Sequence, residues 1–115
     1  MTEMTETTEM SVAPKHGHHT TINIFHTTPD KQAELCEVLA KGMHLLDGQP
    51  GFVATSVHQS LDGTQVVSYV QWESQAAFES MRARPDAQDH FQNVGRLVTG
   101  VTVVACRVTQ THAKP

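Results

Sequence analysis

The chain has 115 residues, a formal net charge of −4 and no basic run, which fits a single small domain and argues against binding to nucleic acid or anionic membranes. No stretch approaches the ~18 consecutive apolar residues of a membrane span, and the acidic, Thr-rich N-terminus lacks the pattern of a secretory signal. We therefore expect a cytoplasmic protein, and its small size favours a homo-oligomer.

The first predicted element follows an N-terminal tail, residues 1–19, that is rich in Thr, Glu and Met and shows no periodic pattern. We expect this tail to be disordered. Beyond it, Ile22 and Ile24 alternate with other residue types, which predicts a first strand over residues 20–27.

A helix is predicted next. The segment Thr28-Pro29-Asp30 supplies a cap, a proline for the first turn and an early acidic residue. A Gly- and Pro-containing segment, Asp47 to Gly51, predicts the end of the helix. Between these two signals the apolar residues have the spacing of one buried helix face: Leu35, Val38, Leu39, Gly42, Met43 and Leu46.

A β-hairpin is predicted from two apolar runs with a short turn between them. The runs extend from Phe52 to Ser60 and from Gln65 to Trp72. The turn contains Asp62-Gly63, a pair that tolerates positive φ and is typical of tight hairpins. We therefore expect these two strands to pair antiparallel.

The C-terminal third predicts a helix with a break, followed by a last strand. Ser74 is placed to cap the helix, Pro85 interrupts it, and a further helical segment extends as far as Leu97. Residues Val101 to Val108 are β-branched and nearly all apolar. Such a pattern is typical of a strand that is covered on both sides.

This order predicts an α+β, ferredoxin-like β-α-β-β-α-β domain over residues 20–110, with a C-terminal tail at 111–115. Its four-stranded antiparallel sheet would carry the helices on one face. We expect Phe25, Val67 and Tyr69 on the other face, where they are too apolar for open solvent. The sequence therefore predicts a homodimer in which two sheets pack back to back.

The hairpin strand that ends at the only Trp of the chain is the strongest candidate for a site. Side chains alternate along a strand, so Val66, Ser68, Val70 and Trp72 share one face. A hydroxyl and an indole N–H therefore lie on an otherwise apolar surface. That surface is either ordinary core or the wall of a pocket whose two donors bind an apolar ligand.

The segment Asp62-Gly63-Thr64-Gln65-Val66-Val67-Ser68-Tyr69-Val70-Gln71-Trp72-Glu73-Ser74, with the single Trp and the topology, resembles the antibiotic biosynthesis monooxygenase family of dimeric α+β barrels. Pro50-Gly51-Phe52 also fits, and the resemblance extends over residues 20–108. The hairpin segment is similar to that of the small anthrone oxygenases of aromatic polyketide pathways, which work without a cofactor and use O2 as co-substrate. The resemblance implies an aromatic polyketide substrate.

In that family a Trp and an Asn four residues earlier bind the oxygen atoms of the substrate, with a Tyr or an Arg nearby. Trp72 matches the Trp, whereas Ser68 stands at the Asn position and Phe78 at the Tyr position. No Arg matches in the segment around Gln92. A serine hydroxyl donates one hydrogen bond where an amide offers two. The resemblance thus implies Trp72 and Ser68 as donors to the enolate oxygen of an anthrone.

A proton acceptor completes the expected site. Histidine titrates nearest neutral pH, and the candidates are His26, His44, His58 and His90. His90 is our first choice, because its segment should cover the pocket. The residues expected to contact the substrate are Phe78, Val70, Val66, Phe91 and His58. The histidines of the folded region show no metal-ligand spacing, so no metal is expected.

Three other functions remain open from the residues. The scaffold also hosts cyclases and isomerases, which fold and deprotonate a polyketide without oxidation. A non-catalytic binding subunit would explain the Ser68 and Phe78 departures. Haem breakdown would need a histidine as axial ligand, a role that His90 could fill.

Overall fold

The computed structural model describes residues 19–115 and has one four-stranded antiparallel sheet with three helices packed on one face. The elements in chain order are β1 (His19–His26), α1 (Gln32–Gly42), a 3₁₀ turn (Met43–Leu46), β2 (Phe52–Gln59), β3 (Gln65–Trp72), α2 (Gln75–Arg82), α3 (Pro85–Gly95) and β4 (Gly100–Cys106). The strands pair in the order β2-β3-β1-β4. The predicted ferredoxin-like fold is confirmed, with its second helix divided in two.

The predicted N-terminal tail, residues 1–19, lies outside the described residues except for its last member. His19 is the first residue of β1. At the other end, residues 107–115 form no helix or strand. Within residues 19–115, no helix has the length and apolar character needed to cross a membrane.

The strand register decides which side chains share a face. In an antiparallel ladder, residues directly opposite each other point to the same side. Asn23 lies opposite Ser68 and Phe25 opposite Val66, so both belong to the helix-covered side, called the inner face. The prediction that Phe25 lies with Val67 and Tyr69 was therefore wrong. On the other side, the outer face, the apolar residues are Ile22, Ile24, Val67, Tyr69 and Val104.

Helix α1 is shorter than predicted at both ends. The Thr28 hydroxyl donates to the Asp30 carboxylate at 2.6 Å and forms no helix cap, and α1 begins only at Gln32. At the C-terminal end, the chain tightens after Gly42 into the 3₁₀ turn. Such turns are common at helix termini, and glycine is a poor helix former.

The β2–β3 hairpin is confirmed. Gly63 has φ of 83°, a conformation that glycine adopts without strain. The Asp62 carboxylate accepts hydrogen bonds from the hydroxyl and backbone N–H of Thr64 and from the Ser60 hydroxyl. These hydrogen bonds hold the pKa of Asp62 below its usual value, with Thr64 as the largest cause. The turn thus keeps β3 in register with β2.

The helix caps after β3 also follow the prediction. The Ser74 hydroxyl accepts a hydrogen bond from the Ala77 backbone N–H at 3.1 Å and caps α2. Pro85 is the first residue of α3, where its missing N–H leaves no helical hydrogen bond unmade. The break between α2 and α3 lets both helices cover the Trp72 end of the sheet.

Two buried clusters fill the space between the sheet and the helices. In the first, fully buried Val66 packs with residues of α1, α3 and the following loop: Leu35, Leu39, Val94 and Leu97. In the second, Trp72 packs with Met81 of α2 and Ala87 of α3. Val66 is therefore a core residue that anchors α1 to β3.

Strand β4 is an edge strand, contrary to the prediction that it is covered on both sides. It pairs only with β1, and five consecutive residues from Val101 to Ala105 are exposed in the single chain. Val103 is 58% exposed and Val104 is 44% exposed. Burial within one chain therefore does not explain this apolar run. An exposed apolar edge strand is a surface where another chain can associate.

Candidate active site

A cavity of about 360 Å³ lies between the inner face of the sheet and the helices. Its lining is mostly apolar, and it comes from all four strands and from all three helices. The polar side chains on its wall are few: Thr21, Asn23, Thr55, Ser68, Arg82 and His90. A cavity of this size and composition is typical of a small-molecule site, in which a few polar groups orient an apolar ligand.

Trp72 is part of the cavity wall. The residue is fully buried, and its ring makes edge contacts with Phe52 at 5.6 Å and with Phe78 at 6.2 Å between centroids. Among residues 19–115, the buried indole N–H has no hydrogen-bond acceptor. Buried donors are rarely left unpaired in folded proteins. An oxygen atom of a molecule bound beside Trp72 would satisfy this N–H.

Asn23 is a polar cavity residue that the sequence analysis did not identify. Its side-chain N–H donates to the Ser68 hydroxyl at 2.8 Å, and Ser68 is only 6% exposed. The pairing of β1 with β3 brings the two residues together across 45 positions of the chain. No signal in the sequence revealed this pair, because the face assigned to Phe25 put Asn23 on the opposite side of the sheet.

His90 lies on α3 and lines the cavity, as predicted. Its ring is half-buried, and this burial lowers its pKa below the ordinary value of 6.5. Burial disfavours the charged imidazolium, so His90 is neutral at pH 7 and can accept a proton. The ring sits directly against Gly42 of α1: a Cβ atom at that position would lie 2.2 Å from the ring.

We expect the Gly42→Ala substitution to displace the His90 ring, because there is no room for a methyl group beside it. In the chain as it stands, the substitution should lower any His90-dependent rate about 10-fold or more. In a His90→Ala background the clash is absent, so alanine at position 42 should instead stabilise the helix, by up to about 1 kcal/mol. Urea denaturation and steady-state rates of the single and double variants measure both effects. An unchanged rate in Gly42→Ala would contradict the prediction.

The other predicted substrate contacts divide between two places. Val70, Phe78 and Phe91 line the cavity with Trp72, Ser68 and His90. Val66 does not, because it is enclosed by the core below the cavity. His58 lies opposite Val67 on the outer face and bonds the Ser56 hydroxyl at 2.8 Å, so the sheet separates it from the cavity. The structure does not bring His58 to the site.

The remaining histidine candidates also lie away from the cavity. His26 is on the outer face, 3.2 Å from the Thr102 hydroxyl, and His44 is an exposed partner of Asp47 at 3.3 Å. One histidine not considered for the site, His19, packs against Phe78 at 5.2 Å between ring centroids. His90 is thus the histidine that lines the cavity within the described chain.

Arg82 was also missed by the sequence analysis, which searched for an arginine only near Gln92. The Arg82 guanidinium stacks over the Phe78 ring at 5.6 Å and pairs with Glu79 at 3.6 Å. This places a cation at the wall of the cavity. Within the described residues, no group of three or more His, Cys, Asp and Glu side chains is arranged to hold a metal ion.

Comparisons with known proteins agree with this geometry. The family model described as antibiotic biosynthesis monooxygenase matches residues 18–93, a range that includes the hairpin, Trp72 and His90. The chain belongs to the antibiotic biosynthesis monooxygenase family. The expected family and the expected monooxygenase activity are therefore confirmed.

Three relatives place the chain within this monooxygenase family. Tetracenomycin-F1 monooxygenase of Streptomyces glaucescens is 39% identical over 100 residues, which cover 86% of this chain and 88% of the relative. The crystal structure of a monooxygenase from the gene ActVA-Orf6 of Streptomyces coelicolor, in complex with Nanaomycin D, has 26% identity and a TM-score of 0.77, covering 88% of this chain and 95% of that one. SnoaB of Streptomyces nogalater, described as a cofactor-independent oxygenase, has 25% identity and a TM-score of 0.68, covering 84% of this chain and 99% of SnoaB.

Proposed function

We propose that this chain is a cofactor-independent monooxygenase that oxidises an anthrone-type, polycyclic aromatic polyketide to a quinone with O2. The observation that carries the proposal is Trp72, a residue of the wall of an apolar cavity whose buried N–H has no acceptor among residues 19–115. Relatives named for tetracenomycin F1 oxidation and for cofactor-independent oxygenation support the reaction class.

The reaction balances without an external reductant. A base removes one proton from the acidic methylene carbon of the anthrone, and the resulting enolate transfers electrons to O2. A C–O bond forms to give a peroxide, which takes up a proton. Loss of the second C–H proton and cleavage of the O–O bond then give the quinone and water. One oxygen atom of O2 enters the product and the other leaves in water, because the substrate supplies all the electrons.

The chain has residues for each requirement of this reaction. Trp72 and Ser68 line the cavity, and we assign the Trp72 N–H to the enolate oxygen and the Ser68 hydroxyl to a second ligand oxygen. Donors stabilise an enolate most strongly in a site with little water. His90 is neutral at pH 7, so it can take the proton from carbon and return it to the peroxide. Phe78 and Val70 form apolar walls that fit fused rings.

The test is oxygen uptake with anthrone, measured together with quinone absorbance on chelator-treated protein. We expect one O2 consumed per quinone formed, well above the spontaneous rate, with one ¹⁸O atom in the quinone when ¹⁸O2 is supplied. Heat-denatured protein gives the blank. Oxygen uptake equal to the blank would contradict the proposal, and ring closure without O2 would indicate the cyclase alternative. A red protein would indicate haem.

We also propose that the protein is a homodimer in which a second copy covers the outer face. The exposed edge strand β4 supports this dimer, as do the apolar side chains that the outer face presents next to it, Ile22 and Val104 among them. Two identical faces of this kind can pack against each other about a two-fold axis. Such packing would remove the apolar edge from water.

Light scattering during size-exclusion chromatography measures the oligomeric state. We expect twice the chain mass of 12.6 kDa for the native protein and a shift towards the monomer for Val104→Lys. The matched control is Leu61→Lys, since Leu61 is fully exposed on the hairpin turn. A native protein that elutes as a monomer at all concentrations would overturn the dimer.

The cysteines are consistent with the cytoplasmic location that we propose. Cys36 and Cys106 are both free, and burial raises the pKa of the Cys36 thiol, which keeps it protonated. Free thiols of this kind are typical of a reducing compartment.

A further inference from the structure

The Asn23–Ser68 pair is a second polar position in the cavity, separate from Trp72. Both side chains line the cavity, from neighbouring central strands of the sheet. Ser68 and Trp72 are four residues apart on the same face of β3. At a rise of ~3.3 Å per residue their Cα atoms are about 13 Å apart. A fused-ring molecule that extends along β3 would therefore meet donors at two separate points along its length.

The direction of the hydrogen bond between these two residues determines what the pair can offer. The Asn23 N–H donates, so the Ser68 oxygen is the acceptor at 2.8 Å. Among residues 19–115, the Ser68 hydroxyl donates no hydrogen bond of its own, and Ser68 is nearly buried. A serine hydroxyl has one hydrogen to donate. That hydrogen therefore remains for a ligand oxygen, while the Asn23 N–H bonds the Ser68 oxygen as acceptor.

We propose that Asn23 is a positioning residue that orients the Ser68 hydroxyl towards an oxygen substituent on the terminal ring of the substrate. This inference rests on the proposed function and defines its substrate class more closely. The preferred substrate is an anthrone-type fused-ring compound whose central-ring oxygen bonds the Trp72 N–H and which carries a second oxygen on a terminal ring for the Ser68 hydroxyl.

The proposal accounts for two polar groups within an otherwise apolar wall. A hydrogen-bonded pair with a purely structural role would also satisfy Asn23 and Ser68, but it would not discriminate between ligands. A site built to bond a substrate hydroxyl, by contrast, disfavours the analogue that lacks it, because its own donor is then left unpaired. Substrate discrimination is therefore the property that separates the two roles.

The experiment compares anthrone with 2-hydroxyanthrone, which differ by one terminal-ring hydroxyl. We expect the native protein to prefer the hydroxylated substrate by about 10-fold in kcat/KM. Ser68→Ala should lower the ratio of kcat/KM for 2-hydroxyanthrone to kcat/KM for anthrone to about one. Asn23→Ala should do the same, and the double variant should be no worse than either single one, since the two residues act as a unit.

Asn23→Asp gives the sharpest test. An aspartate has nearly the same shape but only accepts hydrogen bonds when ionised, so the Ser68 hydroxyl would turn to donate to it. The hydrogen bond between positions 23 and 68 would survive. The Ser68 hydroxyl would no longer donate to the substrate, so the preference for 2-hydroxyanthrone would be lost. A preference that persists in Asn23→Asp and in Ser68→Ala, or an equal fall for both substrates, would overturn the inference. Ser80→Ala, on the exposed face of α2, is the control and should change neither rate.

A binding measurement keeps this inference separate from the proposed function. Trp72 is the only tryptophan, so quenching of its fluorescence reports binding of 2-hydroxyanthraquinone and anthraquinone, which do not react. If the native protein binds the hydroxylated ligand about 10-fold more tightly but oxidises no anthrone, the oxygenase proposal fails and the Asn23 inference stands. If it oxidises both anthrones and binds both quinones equally well, the inference fails and the oxygenase proposal stands.

Discussion

Trp72→Phe is expected to lower the rate of anthrone oxidation by about 100-fold, because it removes the buried donor while keeping an aromatic ring. Phenylalanine fills most of the same space, so the contacts with Phe52 and Phe78 should largely survive. Phenylalanine has no N–H for the enolate oxygen. Steady-state oxygen uptake with anthrone, at a protein concentration where circular dichroism shows a folded chain, measures the loss.

The matched control is Phe52→Leu. Phe52 contacts the Trp72 ring at 5.6 Å, so this change alters the packing of the same cluster without touching the donor. We expect it to cost about 1 kcal/mol of stability, with a rate close to native. If Phe52→Leu and Trp72→Phe lowered the rate equally, the Trp72 effect would be one of packing, and its role as a donor would be disproved.

His90→Gln is expected to lower the rate by about 100-fold at neutral pH and to change the shape of the pH profile. Burial lowers the pKa of His90 below 6.5, so the neutral base form predominates at pH 7. The native rate should therefore rise with pH through a pKa below 6.5 and then stay level. Glutamine does not titrate, so this rising limb should be absent from the variant.

His44→Gln is the control for this experiment, because His44 is exposed and outside the cavity. It should leave both the rate and the pH profile as they are. The lowered pKa of His90 also makes the stability of the fold depend on pH. Because the unfolded chain binds a proton at His90 more readily than the folded chain does, the free energy of unfolding is highest above about pH 6.5 and falls as the pH drops through the folded pKa. His90→Gln should reduce this acid sensitivity. A rising limb that persists in His90→Gln would exclude His90 as the base.

Features that depend on a few neighbouring residues could be predicted from the sequence. Asp62-Gly63 specified the hairpin turn, Ser74 the cap of α2 and Pro85 the start of α3, because turns and caps are formed by residues close in the chain. The start of α1 was misplaced for a local reason as well: the Thr28 hydroxyl bonds the Asp30 side chain instead of capping the helix.

The candidate site was only half predictable. Alternation along one strand correctly placed Ser68, Val70 and Trp72 on one face, since that relation needs no partner strand. Alternation along one strand does not show which residues of the neighbouring strand lie on the same face of the sheet. Phe25 was therefore put on the wrong side, and His58 was placed in a cavity that lies across the sheet from it.

The sequence by itself determined the order of elements, the hairpin turn and the Trp72 face of β3, because these follow from local turn chemistry and from the period of a strand. Only the tertiary structure decided that Asn23 meets Ser68, because strand pairing brings together residues that are 45 positions apart. It likewise decided that His90 lies against Gly42, because helix packing sets which side chains of two helices touch. Local rules therefore define the elements, and long-range packing assembles the polar groups of the site.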